Sequence, residues 1–324
     1  MKKLILNYAL KPQEYLEVLP NENDINIYIA LKIIIKKKWR NFYNFIQRNF
    51  SSPKKRSFLI KFEKFFLPKN NTILNEFEKV KFSKFKKDEI IFFENLNKSI
   101  NFQHILNEIN KEQQLYSAYQ ENMFYLKKER KKDTLMGYIK TENLFKIEEI
   151  LKLVNHEDIV KMAEHKLGTK AIFDNIWCWW SFKNQSVPLG SQNFHRDYNS
   201  INFVKLFVYL SNVDSESGPH IFVRGSAKKN VFKKIERYNE SDVISEFKNN
   251  ILNIEGKKFT TFMANTFCLH RGLPPKTNDR LLLCILYSSN PSRAGPKYPP
   301  FYFKDYSIKD LLIKNKYLNQ LYFQ

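Results

Sequence analysis

The chain has 324 residues, with 54 Lys and Arg against 33 Asp and Glu and a formal net charge of +21 at pH 7. This length is enough for one large domain with a full core, with or without an extension. Three widely spaced cysteines without a CxxC pair argue against a disulfide framework and a zinc ribbon, and they favour a reducing, cytoplasmic location. The charge indicates anionic partners, or else an AT-rich gene, because Lys, Asn, Ile and Phe are all abundant.

Residues 1–75 are rich in Lys and Phe and have helix-like apolar spacing, including the basic run "IKKKWR". We predict a helical extension packed on the main domain. The alternative is a basic amphipathic surface, which leaves peripheral contact with a membrane open. The N-terminus lacks the cleavage site of a signal peptide. The most apolar stretch, "INIYIALKIII", has 11 residues and contains Lys32, so we expect no transmembrane segment, which needs about 20 residues.

The second predicted unit, residues 76–324, begins with mixed signals. The stretch "DEIIFFEN" at 88–95 predicts a short buried strand, and residues 103–130 predict a polar helix. Residues 146–168 have helical apolar spacing, and Gly168 is the expected C-terminal cap.

Strand signals dominate from about residue 170 to residue 290. Several short apolar or alternating runs separated by turns predict a β sandwich or barrel, and the preceding helices are expected to buttress one side of it. The predicted class is therefore α+β, with a strand core at about 170–290.

The stretch "FHRDYNS" contains the first candidate site residues, His195 and Asp197. Residues i and i+2 of a strand point to the same face, about 6.6 Å apart. His270 follows 75 residues later, in "FCLHRGLPP", at the end of an apolar strand. Two histidines and one carboxylate leave three coordination positions open, which is typical of non-heme Fe(II) oxygenases. His220, in "GPHIFV", is a rival ligand, although a role in the pocket wall or core is the stronger interpretation.

Arg280 begins the apolar strand "RLLLCILYSSN", which contains no acidic residue. A guanidinium at such a position requires a carboxylate partner, and its planar fork binds one through two hydrogen bonds.

The order of these motifs, from "FHRDYNSINFVKLFVYLSNVDSESGPHIFVRGS" through "LHRGLPP" to Arg280, resembles the phytanoyl-CoA dioxygenase (PhyH) family over residues 80–290. The resemblance implies a double-stranded β-helix (jelly-roll, cupin-like) and an oxygenase that uses Fe(II), 2-oxoglutarate and O₂. It implies that iron is bound by the side chains of His195, Asp197 and His270, and 2-oxoglutarate by that of Arg280. Two departures from the family pattern, Ala227 in place of a histidine and Glu89 in place of a glycine, concern substrate contacts and leave these four residues intact.

Five further residues are weaker candidates. Lys205 shares a strand face with aromatic residues, where it either pairs with a carboxylate of the cosubstrate or substrate or is solvated. Gln192 and Trp179, like the neighbouring Trp177 and Trp180, line the substrate cavity or belong to the core. Arg271 either contacts an anionic substrate or braces its loop, and His220 is the fifth.

The sequence therefore predicts a dioxygenase that hydroxylates an unactivated C–H bond of a small, anionic or neutral, organic substrate. Asp197 leaves no coordination position vacant for halide, which favours hydroxylation over halogenation. The alternative is a catalytically silent β-barrel module that binds an anionic ligand or nucleic acid through its basic surface. The intact set His195, Asp197, His270 and Arg280 argues against this alternative, and no motif indicates specific binding of nucleic acid.

Overall fold

The structure is a computed structural model that describes residues 51–116, 124–130, 134–183, 188, 190–290 and 301–323. Most of the predicted N-terminal extension, including both quoted stretches at 25–40, lies outside these ranges. The helices are α1 (Pro53–Glu63), α2 (Glu76–Asp88), α3 (Phe102–Lys111), α4 (Thr141–Phe145), α5 (Glu148–Val154), α6 (Glu157–Leu167), α7 (Glu240–Phe247), α8 (Lys309–Lys314) and α9 (Lys316–Asn319). Within the described ranges, no helix is long and apolar enough to cross a bilayer.

Two antiparallel sheets form the centre of the molecule. The strands are β1 (Ile90–Phe93), β2 (Gln114–Tyr116), β3 (Phe124–Leu126), β4 (Met136–Tyr138), β5 (Ile172–Ser181), β6 (Phe203–Tyr209), β7 (His220–Val223), β8 (Ile251–Ile254), β9 (Thr261–Ala264), β10 (His270–Gly272) and β11 (Arg280–Ser288). The major sheet has the order β1-β9-β6-β11-β5-β4-β2-β3, and the minor sheet has the order β10-β7-β8.

The two sheets alternate along the chain, as a double-stranded β-helix requires. From β5 the chain passes to Phe194 and His195, whose bridges to Tyr238 and His270 extend the minor sheet, and then back to β6 in the major sheet. Strands β7 and β8 again lie in the minor sheet, β9 in the major, β10 in the minor and β11 in the major. The predicted jelly-roll class is therefore confirmed.

Strand β11 shows why the sequences of the core strands are almost entirely apolar. All nine of its residues are buried, because the helices cover one face and the minor sheet covers the other. Leu283 and Ile285 belong to a core cluster that includes residues of α5 and α6, whereas Leu282 and Cys284 pack with Phe222 of the minor sheet. The predicted helical buttress on one side is present.

The chain enters β1 through a residue in the left-handed conformation. Glu89 ends α2 with φ 64°, a conformation that favours glycine, which is the residue expected there from the family pattern. Its buried carboxylate pairs with Lys166 Nζ at 2.5 Å and accepts a hydrogen bond from Asn265 Nδ2 at 2.8 Å. These partners hold Glu89 in place at the start of β1.

Two predicted elements differ from the observed ones. The predicted helix at 103–130 is wrong beyond α3, because the chain continues into β2 and β3 at the edge of the major sheet. Long-range pairing of β2 with β4 outweighs the local helical composition. The segment 146–168 is helical but forms two helices, and Gly168 ends the second with φ 72°, as predicted.

Candidate metal centre

His195, Asp197 and His270 lie together in one cluster. His195 and His270 form a bridge in which each backbone N–H donates to the other residue's carbonyl at 3.0 Å. The backbone N–H of Asp197 donates to Thr266 O at 2.9 Å. The expected i, i+2 geometry places the carboxylate next to both rings, with Oδ1 3.5 Å from His195 Nε2 and Oδ2 3.3 Å from His270 Nε2.

Both imidazoles are oriented by backbone carbonyls. His195 Nδ1 lies 2.8 Å from Asn193 O, and His270 Nδ1 lies 2.9 Å from Cys268 O. A carbonyl can only accept, so each Nδ1 carries the proton and each Nε2 presents a lone pair towards Asp197. One ligand atom from each of the three residues lies within 4.8 Å of the others, which is the arrangement of a metal site.

The electrostatics of the cluster favour a neutral imidazole at His195 and an ionised carboxylate at Asp197. Burial, reinforced by His270, lowers the pKa of His195 to about 4. Burial alone would raise the pKa of Asp197, but nearby Lys205 and His270 hold it well below its ordinary value. These are the protonation states that a divalent metal ion requires of its ligands.

Lys205 faces the interior of the β-helix, as one of its two predicted orientations requires. Its Nζ atom lies 2.7 Å from Asp197 Oδ2 and 5.4 Å from the centroid of the Trp177 ring. The ammonium therefore neutralises the carboxylate of the cluster. Binding of a cosubstrate or substrate carboxylate by Lys205 stays a prediction.

Arg280 is buried at the start of β11 and lacks an acidic partner in the described part of the chain. Its Nη2 donates to Ser181 Oγ at 3.1 Å, whereas its Nε and Nη1 atoms are buried and make no hydrogen bond to any described residue. The guanidinium lies against Gly272, where an added Cβ would be 3.0 Å from Nη2. The missing side chain of Gly272 makes room for the guanidinium.

The weaker candidates divide between the interior and the periphery. His220 and Trp179 are on inward-facing positions, and each has a buried ring nitrogen without a described partner. Arg271 points to the other face of β10, where it pairs with both carboxylate oxygens of Glu240 and lies over the Phe194 ring at 4.4 Å. The bracing role predicted for Arg271 agrees with these contacts. Gln192 is buried in the 3₁₀ turn Gly190–Gln192.

Sequence reasoning missed two residues that support the guanidinium of Arg280. Ser181 lies directly opposite Arg280 in the β11–β5 register, and Gly272 is in β10. A glycine inside the strand "LHRG" is a signal of close backbone approach that could have been used. Nothing in the sequence reveals the cross-strand register that brings Ser181 to the same place.

No protein-family model matches the chain, and no curated protein sequence matches it. Solved structures with a similar fold include EctD from S. alaskensis with 2-oxoglutarate and 5-hydroxyectoine (12% identity, 68% of this chain, 82% of that chain, TM-score 0.49). Another is HygX from Streptomyces hygroscopicus with nickel, 2-oxoglutarate and hygromycin B (13% identity, 66% of this chain, 87% of that chain, TM-score 0.46). A third is the epimerase SnoN with Fe³⁺, alpha ketoglutarate and nogalamycin RO (12% identity, 65% of this chain, 83% of that chain, TM-score 0.46). The topology and cluster of this chain themselves define a double-stranded β-helix protein with a His-Asp-His site.

Proposed function

We propose that the protein is an Fe(II)- and 2-oxoglutarate-dependent dioxygenase that hydroxylates an unactivated C–H bond of a small organic substrate. The observation that carries this proposal is the combination, inside one β-helix, of the His-Asp-His cluster with a buried guanidinium that has no acidic partner among the described residues. The resemblance of the motifs to the PhyH family supports it, and membership in that family is part of the proposal.

The donor set of the cluster fits ferrous iron. Two neutral imidazole Nε2 atoms and one carboxylate oxygen supply three ligands on one side of a metal ion and leave the remaining positions open. His195, Asp197 and His270 would hold the metal. The carbonyls of Asn193 and Cys268, behind the rings, would fix the imidazole orientation.

The surroundings of Arg280 fit the distal carboxylate of 2-oxoglutarate. Burying a guanidinium without a counter-charge is costly, and the two unpartnered nitrogen atoms match a bidentate carboxylate. The stretch "RLLLCILYSSN" contains no acidic residue. Among the described contacts of Arg280, the hydrogen bond to Ser181 is to a neutral hydroxyl, which supports this part of the proposal.

Other residues in the interior would hold the reactants in place and shield them from water. Lys205 donates to Asp197 Oδ2 and thereby fixes the orientation of the carboxylate. Aromatic rings of Phe207, Phe262 and Trp177 line the interior and would exclude water. When bound, Fe(II) with 2-oxoglutarate and O₂ supplies oxidising power for C–H hydroxylation, with release of succinate and CO₂. Because Asp197 is present, hydroxylation is favoured over halogenation.

The test is anaerobic addition of Fe(II) and then 2-oxoglutarate to the full chain, with detection of the visible charge-transfer band. We expect the band in the wild type and its loss in His195→Ala, Asp197→Ala and His270→Ala, with iron affinity lowered by more than about 100-fold and the fold retained. His104→Ala, at an exposed helix position, is the matched control. Absence of the band in wild-type protein that binds iron would refute the proposal and favour the silent barrel. Full iron occupancy in the His270 variant would refute the ligand assignment.

A further inference from the structure

His220 occupies the position between the His-Asp-His cluster and Arg280. In the β10–β7 register, His270 lies opposite Phe222 and Gly272 lies opposite His220. Alternation along β10 places His270 and Gly272 on the same face, and the guanidinium of Arg280 lies against Gly272. His220 is therefore next to the guanidinium and diagonally across from a cluster histidine.

The ring contacts of His220 agree with this position. Its ring is nearly parallel to that of His270, with 5.3 Å between centroids and 15° between planes. Phe207 and Phe262 contact it on other sides, with centroids at 5.1 Å and 5.7 Å. Its backbone N–H donates to Tyr209 Oη at 3.1 Å, which fixes the strand that carries it.

The Nε2 atom of His220 has no partner in the described structure. The residue is 5% exposed, and Nε2 is buried without a hydrogen bond. A buried polar atom without a partner costs roughly 1–3 kcal/mol, so an unpartnered nitrogen beside two functional groups indicates a ligand. A histidine of the core would use this atom to bind another protein group. Among the described residues, the side chains whose ligand atoms lie within 4.8 Å of one another are His195, Asp197 and His270, and His220 is outside this group.

We propose that His220 is a positioning residue for the 2-oxo diacid cosubstrate. Its Nε2–H donates to the distal carboxylate, alongside the guanidinium of Arg280. This inference rests on the proposed function, because the carboxylate that it requires is that of 2-oxoglutarate. A molecule that chelates a metal at His270 and reaches Arg280 must pass His220. Its distal carboxylate would accept hydrogen bonds from the nitrogen atoms of His220 and Arg280 that have no described partner.

The test compares two 2-oxo acids on two variants. His220→Phe keeps an aromatic ring against His270 but removes the donor, and His220→Gln restores a donor near the position of Nε2. Binding to the anaerobic Fe(II) protein is measured by calorimetry and by the charge-transfer band. The probes are 2-oxoglutarate and pyruvate, which chelates iron in the same way but has no distal carboxylate.

We expect His220→Phe to weaken 2-oxoglutarate binding by about tenfold or more, with pyruvate binding and iron affinity unchanged. His220→Gln should recover affinity to within about threefold of the wild type. Unchanged 2-oxoglutarate affinity in His220→Phe would overturn the inference, as would an equal loss for both probes, which would indicate a structural role. Absence of 2-oxoglutarate binding in the wild type would instead overturn the proposed function itself.

Discussion

The Nδ1 atoms of His195 and His270 donate hydrogen bonds to the backbone carbonyls of the residues two positions earlier in the chain. The backbone next to each ring thus fixes its orientation, and its tautomer is set before any metal binds. Lys205 does the same for the carboxylate of Asp197. The cluster is therefore preorganised by local hydrogen bonds, and iron binding requires little rearrangement of these side chains.

The single substitution Arg280→Lys tests whether the protein is an enzyme or a silent barrel. The substitution keeps the charge but loses the planar fork, so 2-oxoglutarate affinity should fall by about one to two decades. Iron affinity should barely change, because Arg280 is not in the metal-ligand group. The measurement is an anaerobic titration of both proteins with 2-oxoglutarate. Equal affinities would refute the assigned role.

The metal-free protein should become less stable as the pH falls from about 6.5 towards 4. The pKa of His195 is about 4 in the folded state, compared with 6.5 for an ordinary histidine, because burial disfavours its charged form. The unfolded chain therefore takes up a proton over this range that the folded chain does not, and the free energy of unfolding decreases by up to roughly 3 kcal/mol. Urea unfolding with a chelator present, at several pH values, measures this decrease.

The matched variant for this titration is His195→Gln, which keeps a polar side chain that does not titrate. Its unfolding free energy should depend less steeply on pH than that of the wild type between about pH 6.5 and 4. The same slope in both proteins would show that other groups, and not His195, cause the acid sensitivity.

Local patterns account for much of the fold and of the site. Alternation in β6 predicts Lys205 on the same strand face as Phe207, and short stretches predict strand β1 and the C-terminal cap Gly168. The first two residues of β1 are buried as expected, whereas Phe92 is exposed. The helix expected at 103–130 is wrong beyond α3, because β2 pairs with β3 inside this stretch and with β4 outside it, and local composition does not reveal strand pairing. The close approach of Gly272 to Arg280 was missed for the same reason, because register between strands is not a local property.

Helix α1 contacts the loop that follows Asp197. Arg56 is 2% exposed, its Nη2 donates to Ser200 O, and its guanidinium carbon lies 4.4 Å from the Phe267 ring centroid and 5.5 Å from that of Tyr198. The predicted boundary near residue 76 assigns this helix to the extension, and that boundary stays a prediction. These contacts make α1 a support of the site.

Arg56→Ala should therefore destabilise the protein by about 2 kcal/mol and weaken iron binding. The first effect follows from the lost cation–π and hydrogen-bond contacts, and the second from a looser loop behind Asp197. Chemical denaturation and an iron titration measure the two effects. Lys55→Ala, at an exposed position of the same helix, is the control. Wild-type iron affinity in Arg56→Ala would show that α1 only adds stability.

At the scale of the whole molecule, the solvent side of α1 combines charge with apolar surface. Phe58 and Phe62 are 65% and 56% exposed, and Lys54, Lys55 and Lys61 are exposed on the same helix. This composition agrees with the alternative interpretation of the N-terminal region, a basic amphipathic surface that contacts a membrane. That contact stays a prediction.

Ligand binding should stabilise the entire β-helix, because the proposed ligands join the major and minor sheets. With Fe(II) bound and 2-oxoglutarate at 100 times its Kd, the free energy of unfolding should rise by about 2.7 kcal/mol. Anaerobic thermal unfolding measures this change. Glutarate, which lacks the 2-oxo group, is the control ligand and should stabilise far less. An equal shift with glutarate would mean that the stabilisation does not require chelation.

The placement of His270 on β10 and of Arg280 on β11 has a consequence for the choice of cosubstrate. His270 and Arg280 belong to different sheets. The pairing of β10 with β7 and of β11 with β5 fixes how far apart the two residues lie. Under the proposed function, strand pairing therefore sets the length of the diacid that can join a metal ion held by His270 to the guanidinium of Arg280. Oxaloacetate, one methylene shorter than 2-oxoglutarate, would then reach only one of the two groups, and 2-oxoadipate would have to bend. Selection by length then follows from strand pairing, and changing the preferred diacid would require moving Arg280 along its strand.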